Sequence, residues 1–131
     1  MPRYRLLLTA SANDDFSEIW NALLEFTLLV NYEQLSPEQR IFAVASDFHG
    51  WVCNGGVGHG FELLESDGIS QDEFFKVLTV LGAKCQHKVI TTHINSPESR
   101  LDREYDKCKP DLLELAMEYA KKNIDNFVKW N

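Results

Sequence analysis

The sequence predicts an all-α protein, and three observations predict it. Two segments, beginning at Ser36 and Ser70, open with a capping box and continue with apolar residues at helical spacing. Pro37, Pro97 and Pro110 stand where helices begin or are separated. The one β-branched run, residues 88–94, has no second convincing strand to pair with, and a lone strand cannot satisfy its backbone.

Taken in order, the N-terminal stretch MPRYRLLLTASAN reads as an ordered arm or a first turn of structure. Its three leucines, Leu6 to Leu8, are too short for the apolar region of a signal peptide. A helix is expected over residues 14–31, capped by Asn13, with Asp14, Asp15 and Glu18 suiting its positive start. Phe16, Ile19, Trp20, Leu23, Thr27 and Val30 form its inner stripe.

The next helix opens with Ser36-Pro37-Glu38-Gln39 and buries Ile41, Val44, Ala45, Phe48, Trp51 and Val52. Asn54-Gly55-Gly56 is expected to halt it, with Gly55 or Gly56 at positive φ. Gly58 and Gly60 then leave little regular structure, beyond a single turn at residues 61–64 and a loop at Asp67-Gly68. Ser70-Gln71-Asp72-Glu73 caps a helix that packs Phe74, Val77, Leu78 and Leu81 and ends at Gly82. Residues 83–95 are read as helix against their strand propensity. A short helix follows over residues 98–107. Pro110 starts the last one, with Leu112, Leu113, Ala116, Tyr119 and Ala120 inward and Lys121 and Lys122 near its end. The expectation is one domain, residues 1–131, of five or six helices.

Composition narrows the function. The 131 residues are 44% hydrophobic, which suits one soluble globular domain, and no apolar run approaches membrane-spanning length. Cys53, Cys85 and Cys108 are odd in number, widely spaced and without a CxxC. They suggest neither a disulfide framework nor a zinc knuckle, and the reducing cytoplasm is the expected home. The net charge is −7, and all of it lies early: residues 1–68 hold ten acids and three bases, whereas residues 69–131 hold ten of each. That balance argues against direct nucleic-acid binding, which rests on cations, and suits a basic protein partner.

Several short motifs accompany this charge. They are Trp20-Asn21, Leu35-Ser36 with Gln39-Arg40, and Val52-Cys53-Asn54-Gly55-Gly56 followed by Phe61. Later come Leu81-Gly82-Ala83, Leu101-Asp102 with Tyr105, and Tyr119 with Asn123 and Phe127. Together they resemble a bacterial family of small α-helical domains typified by a DNA-mimic protein. The resemblance runs from about Trp20 to residue 128. The chain departs from that pattern after the two glycines, where it reads Val57, His59 and Gly60 and keeps only Phe61. The resemblance implies a non-enzymatic acidic protein, dimeric in its best-known case, that occupies the DNA-binding surface of a regulator.

Chemistry-bearing clusters are sparse. His49, Cys53 and His59 offer three potential metal ligands, with Asp47 or Asp67 as a fourth, but helix-face spacing explains the pattern as well. Cys53 ends its helix, where the dipole disfavours a thiolate. No GxSxG, HExxH or GxxxxGK[ST] occurs, and the glycine bend follows a helix instead of preceding one as a phosphate loop does. Glu98, Asp102 and Asp106 line one face at i, i+4 and i+8, with Arg103 and Lys107 to neutralise them, and read as a solvated row. Trp20, Trp51 and Trp130 are expected in or near the core.

The functional expectation is therefore an acidic interaction module without cofactor, metal, membrane or direct nucleic-acid contact. Asp14, Asp15, Glu18, Asp47, Glu62 and Glu65 form its partner surface, and Asn54, Gly55 and Gly56 its structural motif. The expected partner is a basic protein, such as a helix-turn-helix regulator or a toxin, and the family resemblance implies that the module can form a homodimer. The alternatives are an immunity or antitoxin-like inhibitor of a toxin enzyme, and a metal-dependent hydrolase built on His49, Cys53 and His59.

Overall fold

A computed structural model describes Glu33 and residues 35–123. The helix expected over residues 14–31, with Asp14, Asp15, Glu18 and Trp20, lies outside the described residues, as do Phe127 and Trp130. Five helices follow one another: α1 Pro37–Ser66, α2 Gln71–Leu81, α3 Lys84–His93, α4 Glu98–Asp106 and α5 Leu112–Lys122. Among the described residues there is no strand, and no helix is long and apolar enough to cross a membrane.

The capping box at Ser36 forms as the sequence dictates. Ser36 Oγ accepts the Gln39 N–H at 3.2 Å, and Gln39 Oε1 accepts the Ser36 N–H at 2.8 Å, so two otherwise orphaned donors are satisfied reciprocally. Phe42, Ala43, Val44, Ala45 and Phe48 are all fully buried. Burial of four successive residues means α1 is covered on several faces, which a single amphipathic stripe does not anticipate. Ile41, Trp51 and Val52 are only half-buried.

The helix does not stop at Asn54-Gly55-Gly56. Gly56 leaves helical geometry at φ 90° and ψ 176°, and a second helical run follows at once and reaches Ser66. The positive φ is where it was expected; the irregular segment after the glycines and the isolated turn at residues 61–64 are not found. Each glycine in a helix costs about 1 kcal/mol of propensity, and tertiary contacts offset that here. A Cβ on Gly60 would stand 2.6 Å from the Phe48 ring, so the missing side chain lets Phe48 pack directly on the second run.

Helices α2 to α4 keep closer to expectation. Ser70 Oγ accepts the Glu73 N–H at 3.1 Å, and α2 buries Phe74, Val77, Leu78 and Leu81 before Gly82 ends it in the left-handed conformation at φ 70°. The β-branched residues 88–94 lie in α3 and its C-cap, where Ile90 is buried and Thr91 donates its hydroxyl to the His87 carbonyl at 2.8 Å. Propensity yields here because a helix satisfies its backbone internally. Helix α4 buries Leu101 and Tyr105. At α5 the start is set by Asp111, whose Oδ1 accepts the Glu114 N–H at 2.8 Å; Pro110, reached through a cis peptide, stands outside the helix instead of opening it.

The described residues fall in two compact units, one reaching Ala43 and resuming at Met117, the other Val44–Ala116. In the first, Phe42 and Ala120 are fully buried, and burial, with the Glu38 charge, raises the Tyr119 hydroxyl pKa. In the second, an aromatic cluster forms the core. Phe48 lies 4.3 Å from Phe74 and 5.3 Å from Phe61, centroid to centroid, and 6.3 Å from Tyr105. Such offset and edge-on pairs contribute beyond the area they bury.

The cysteine expectation needs correction. Cys85 and Cys108 are disulfide-bonded, with Cα atoms 5.6 Å apart. Their separation of 23 residues carries no recognisable pattern; α3 and α4 fold against each other and bring the first turn of α3 to the segment after α4. Beside the bond, buried Gln86 donates its amide to the Pro110 carbonyl at 2.9 Å. Cys53 remains a free, exposed thiol.

Candidate functional site

The kink at Gly56 exposes a fresh helix start inside α1, and the sequence some distance away supplies its cap. Asp102 of α4 accepts the Val57 N–H at 2.9 Å through Oδ1. The carboxylate comes so close that a Cβ on Gly56 would meet Asp102 Oδ2 at 2.6 Å, and Glu98 Oε1 stands 2.9 Å from where a Gly58 Cβ would be. Two carboxylates thus face the positive end of the second helical run, the favourable arrangement for its dipole. The Glu98, Asp102 and Asp106 row is therefore not a simple solvated face. Asp102 is half-buried and bonded to α1, while Glu98 and Asp106 are exposed. Lys107 reaches Glu104 at 3.0 Å instead of the row, and that hydrogen bond holds the Glu104 carboxyl below its ordinary pKa.

The same geometry corrects the reading of the glycine bend. A helix N-terminus does follow the glycines, as in a phosphate loop, but the Val57 amide is already taken by an anion of the protein's own. The bend serves packing between α1 and α4.

His49 Nε2 and Cys53 Sγ lie 3.6 Å apart on successive turns of α1. The His59 ring instead sits against Gly55, where a Cβ would meet it at 2.7 Å. Among the described residues no three His, Cys, Asp or Glu side chains come together as metal ligands. Tyr105 is 6% exposed, and its hydroxyl has no hydrogen-bond partner among the described residues. Burial above all, then the negative charge of Asp111, pushes its pKa far up, so the phenol stays protonated.

A concave surface lies between the second run of α1 and the start of α2. Gly58, Phe61, Leu64 and Ile69 with Glu62, Glu65, Ser70 and Gln71 line a groove of about 360 Å³. Leu64 and Ile69 are 1% and 4% exposed and form its floor, while Glu62 and Glu65 are exposed and occupy neighbouring positions on one helix face. From Arg40 to Lys76 the chain holds six acids and neither lysine nor arginine between them.

Of the expected partner-surface residues, Glu62 and Glu65 are thus brought together. Asp47 is half-buried and engaged within the protein, and Asp14, Asp15 and Glu18 lie outside the described residues. Asn54 and Gly55 are exposed at the kink, and Gly56 is half-buried. Sequence reasoning missed the capping role of Asp102, although Leu101-Asp102 stood among the family-like motifs, and it missed the apolar floor beneath Glu62 and Glu65. The spacing of Phe61, Leu64 and Glu65 carried that second signal once the segment was helical. No family model, curated protein or solved structure matches the chain.

Proposed function

We propose that this protein acts by binding, without catalysis, and that its acidic surface occupies a basic surface on another protein in the manner of a DNA mimic. The observation that carries this reading is the stretch between Arg40 and Lys76, with six acids and no lysine or arginine; four of these acids are exposed, Glu62 and Glu65 in the lining of the α1–α2 groove and Asp67 and Asp72 outside it. Glu62, Glu65 and Asp67 have no lysine or arginine within a helical turn, whereas Lys76 stands one turn beyond Asp72; the largely unneutralised field steers a cationic surface into contact and repels nucleic acid. The kink residues support the reading indirectly, because the helix start open to a phosphate in other folds is filled here by Asp102.

The action is proposed for the cytoplasm, where regulators work. Thiols there are kept reduced, so the cytoplasmic form would carry Cys85 and Cys108 as a dithiol, and the disulfide form belongs to oxidising conditions.

The test is binding to basic DNA-binding regulators of the source organism, measured across salt concentration. Affinity should fall steeply from about 50 mM to about 500 mM salt, since exposed charges are screened over about 8 Å at physiological ionic strength. Operator DNA should compete with this protein for the regulator and show no affinity for the protein alone. A complex equally tight at high salt, or one that accepts DNA as a third component, overturns mimicry.

A further inference from the structure

We propose that the α1–α2 groove is a receptor for one arginine side chain projecting from the protein partner. The inference rests on the acidic-module reading above and names the chemistry of what enters. The groove has two characters. Its lining by Phe61, Leu64 and Ile69 is apolar, with Leu64 and Ile69 buried. Its rim carries Glu62 and Glu65, with Ser70 and Gln71 at the α2 end. An occupant must therefore bring an apolar stem and a cationic head.

Arginine fits both demands. Its methylenes bury against an apolar surface while the head stays at the rim. Its planar guanidinium offers five donors, so it can span two carboxylates on neighbouring helical positions, and it stacks on aromatic faces with a weaker hydration cost than an ammonium. Phe61 lines the groove while half-buried, and edge contacts at 5.3 Å to Phe48 and 5.4 Å to Phe74 fix its ring in place. No lysine or arginine lines the groove, so no side chain of the groove itself neutralises the rim. A volume of about 360 Å³ accommodates a single long side chain, near the small end of ligand sites. A phosphate-bearing ligand is repelled by the same carboxylates.

The probe is an acetylated, amidated nine-residue peptide with one central arginine between leucines. Its control has citrulline at that place, which keeps the shape and removes the charge. Titrated into the isotope-labelled full chain, the arginine peptide should shift backbone amide resonances of residues 58–71. The citrulline peptide, and the arginine peptide against the Glu62→Gln/Glu65→Gln variant, should bind at least about tenfold more weakly. Both positions are exposed, so the variant should fold, and an unchanged spectrum outside the groove verifies it. Equal binding of citrulline, absence of any shift, or shifts mapping away from residues 58–71 overturns the proposal. Groove resonances that move with protein concentration alone overturn it in favour of a second copy of the chain. Salt-sensitive partner binding alongside any of these failures leaves the acidic-module reading standing, whereas salt-insensitive binding removes that reading itself.

Discussion

Gly56 combines a backbone conformation that only glycine adopts freely with a carboxylate where a Cβ would be. Gly56→Ala should therefore destabilise the protein by about 2 kcal/mol or more, beyond the ~1 kcal/mol of an ordinary glycine substitution. Denaturant unfolding of the variant checks this, and a neutral result would mean the kink relaxes freely. Tyr105 leads to the opposite expectation. Its buried hydroxyl lacks a partner among the described residues, so Tyr105→Phe should be neutral or stabilising by up to about 1 kcal/mol. Its raised pKa also fixes a pH dependence. The folded state keeps the phenol proton where the unfolded chain loses it, so this contribution to stability is full below the ordinary value of about 10 and is lost as pH rises beyond it. Thermal unfolding followed from neutral pH into the alkaline range should show a shallower decline for Tyr105→Phe.

At the scale of elements, α4 is joined to its neighbours by two links of different kinds. The first is the Asp102 cap on Val57. Asp102→Ala should cost about 1–2 kcal/mol as other lost N-caps do, and Asp102→Asn less, because an amide oxygen still accepts the bond. If α4 is held by its apolar face alone, the two variants will unfold at the same denaturant concentration. The second link is Cys85–Cys108, which closes a loop of 23 residues' separation. Reduction, or Cys85→Ser with Cys108→Ser, should lower stability by about 3 kcal/mol on the chain-entropy account. Calorimetry with and without reductant measures it. Both links anchor α4 and its following segment, and the hydrogen bond from Gln86 of α3 to the Pro110 carbonyl ties that same segment to α3.

For the whole molecule, charge is the feature with functional reach. The acids between Arg40 and Lys76 include the rim of the α1–α2 groove, whereas the bases from Arg100 onward are interspersed with acids along α4 and the segments that follow. Amide replacement at Asp67 and Asp72, which are exposed and stand outside the groove lining, should slow association with a basic partner more than it speeds dissociation, since dispersed exposed charges act chiefly by steering. Stopped-flow binding separates the two rates. A change confined to dissociation would place the energy in direct contact and not in the field.

The sequence by itself determined the helical class, the caps at Ser36 and Ser70, the left-handed end at Gly82, the positive φ at the double glycine and the acidic bias around Glu62 and Glu65. These are local properties: a cap joins residues three apart, a helix end depends on one glycine, and net charge needs no coordinates. Tertiary structure alone decided whether α1 would stop at Gly56 or resume. Only α4, folded back from 45 residues away, delivers the carboxylate that caps the restart. It likewise decided that Cys85 and Cys108 meet, that Trp51 stays half-buried, and that an apolar floor lies beneath two glutamates. Each of these depends on which segments come into contact, and helical periodicity identifies the face that must be buried without naming the surface that buries it.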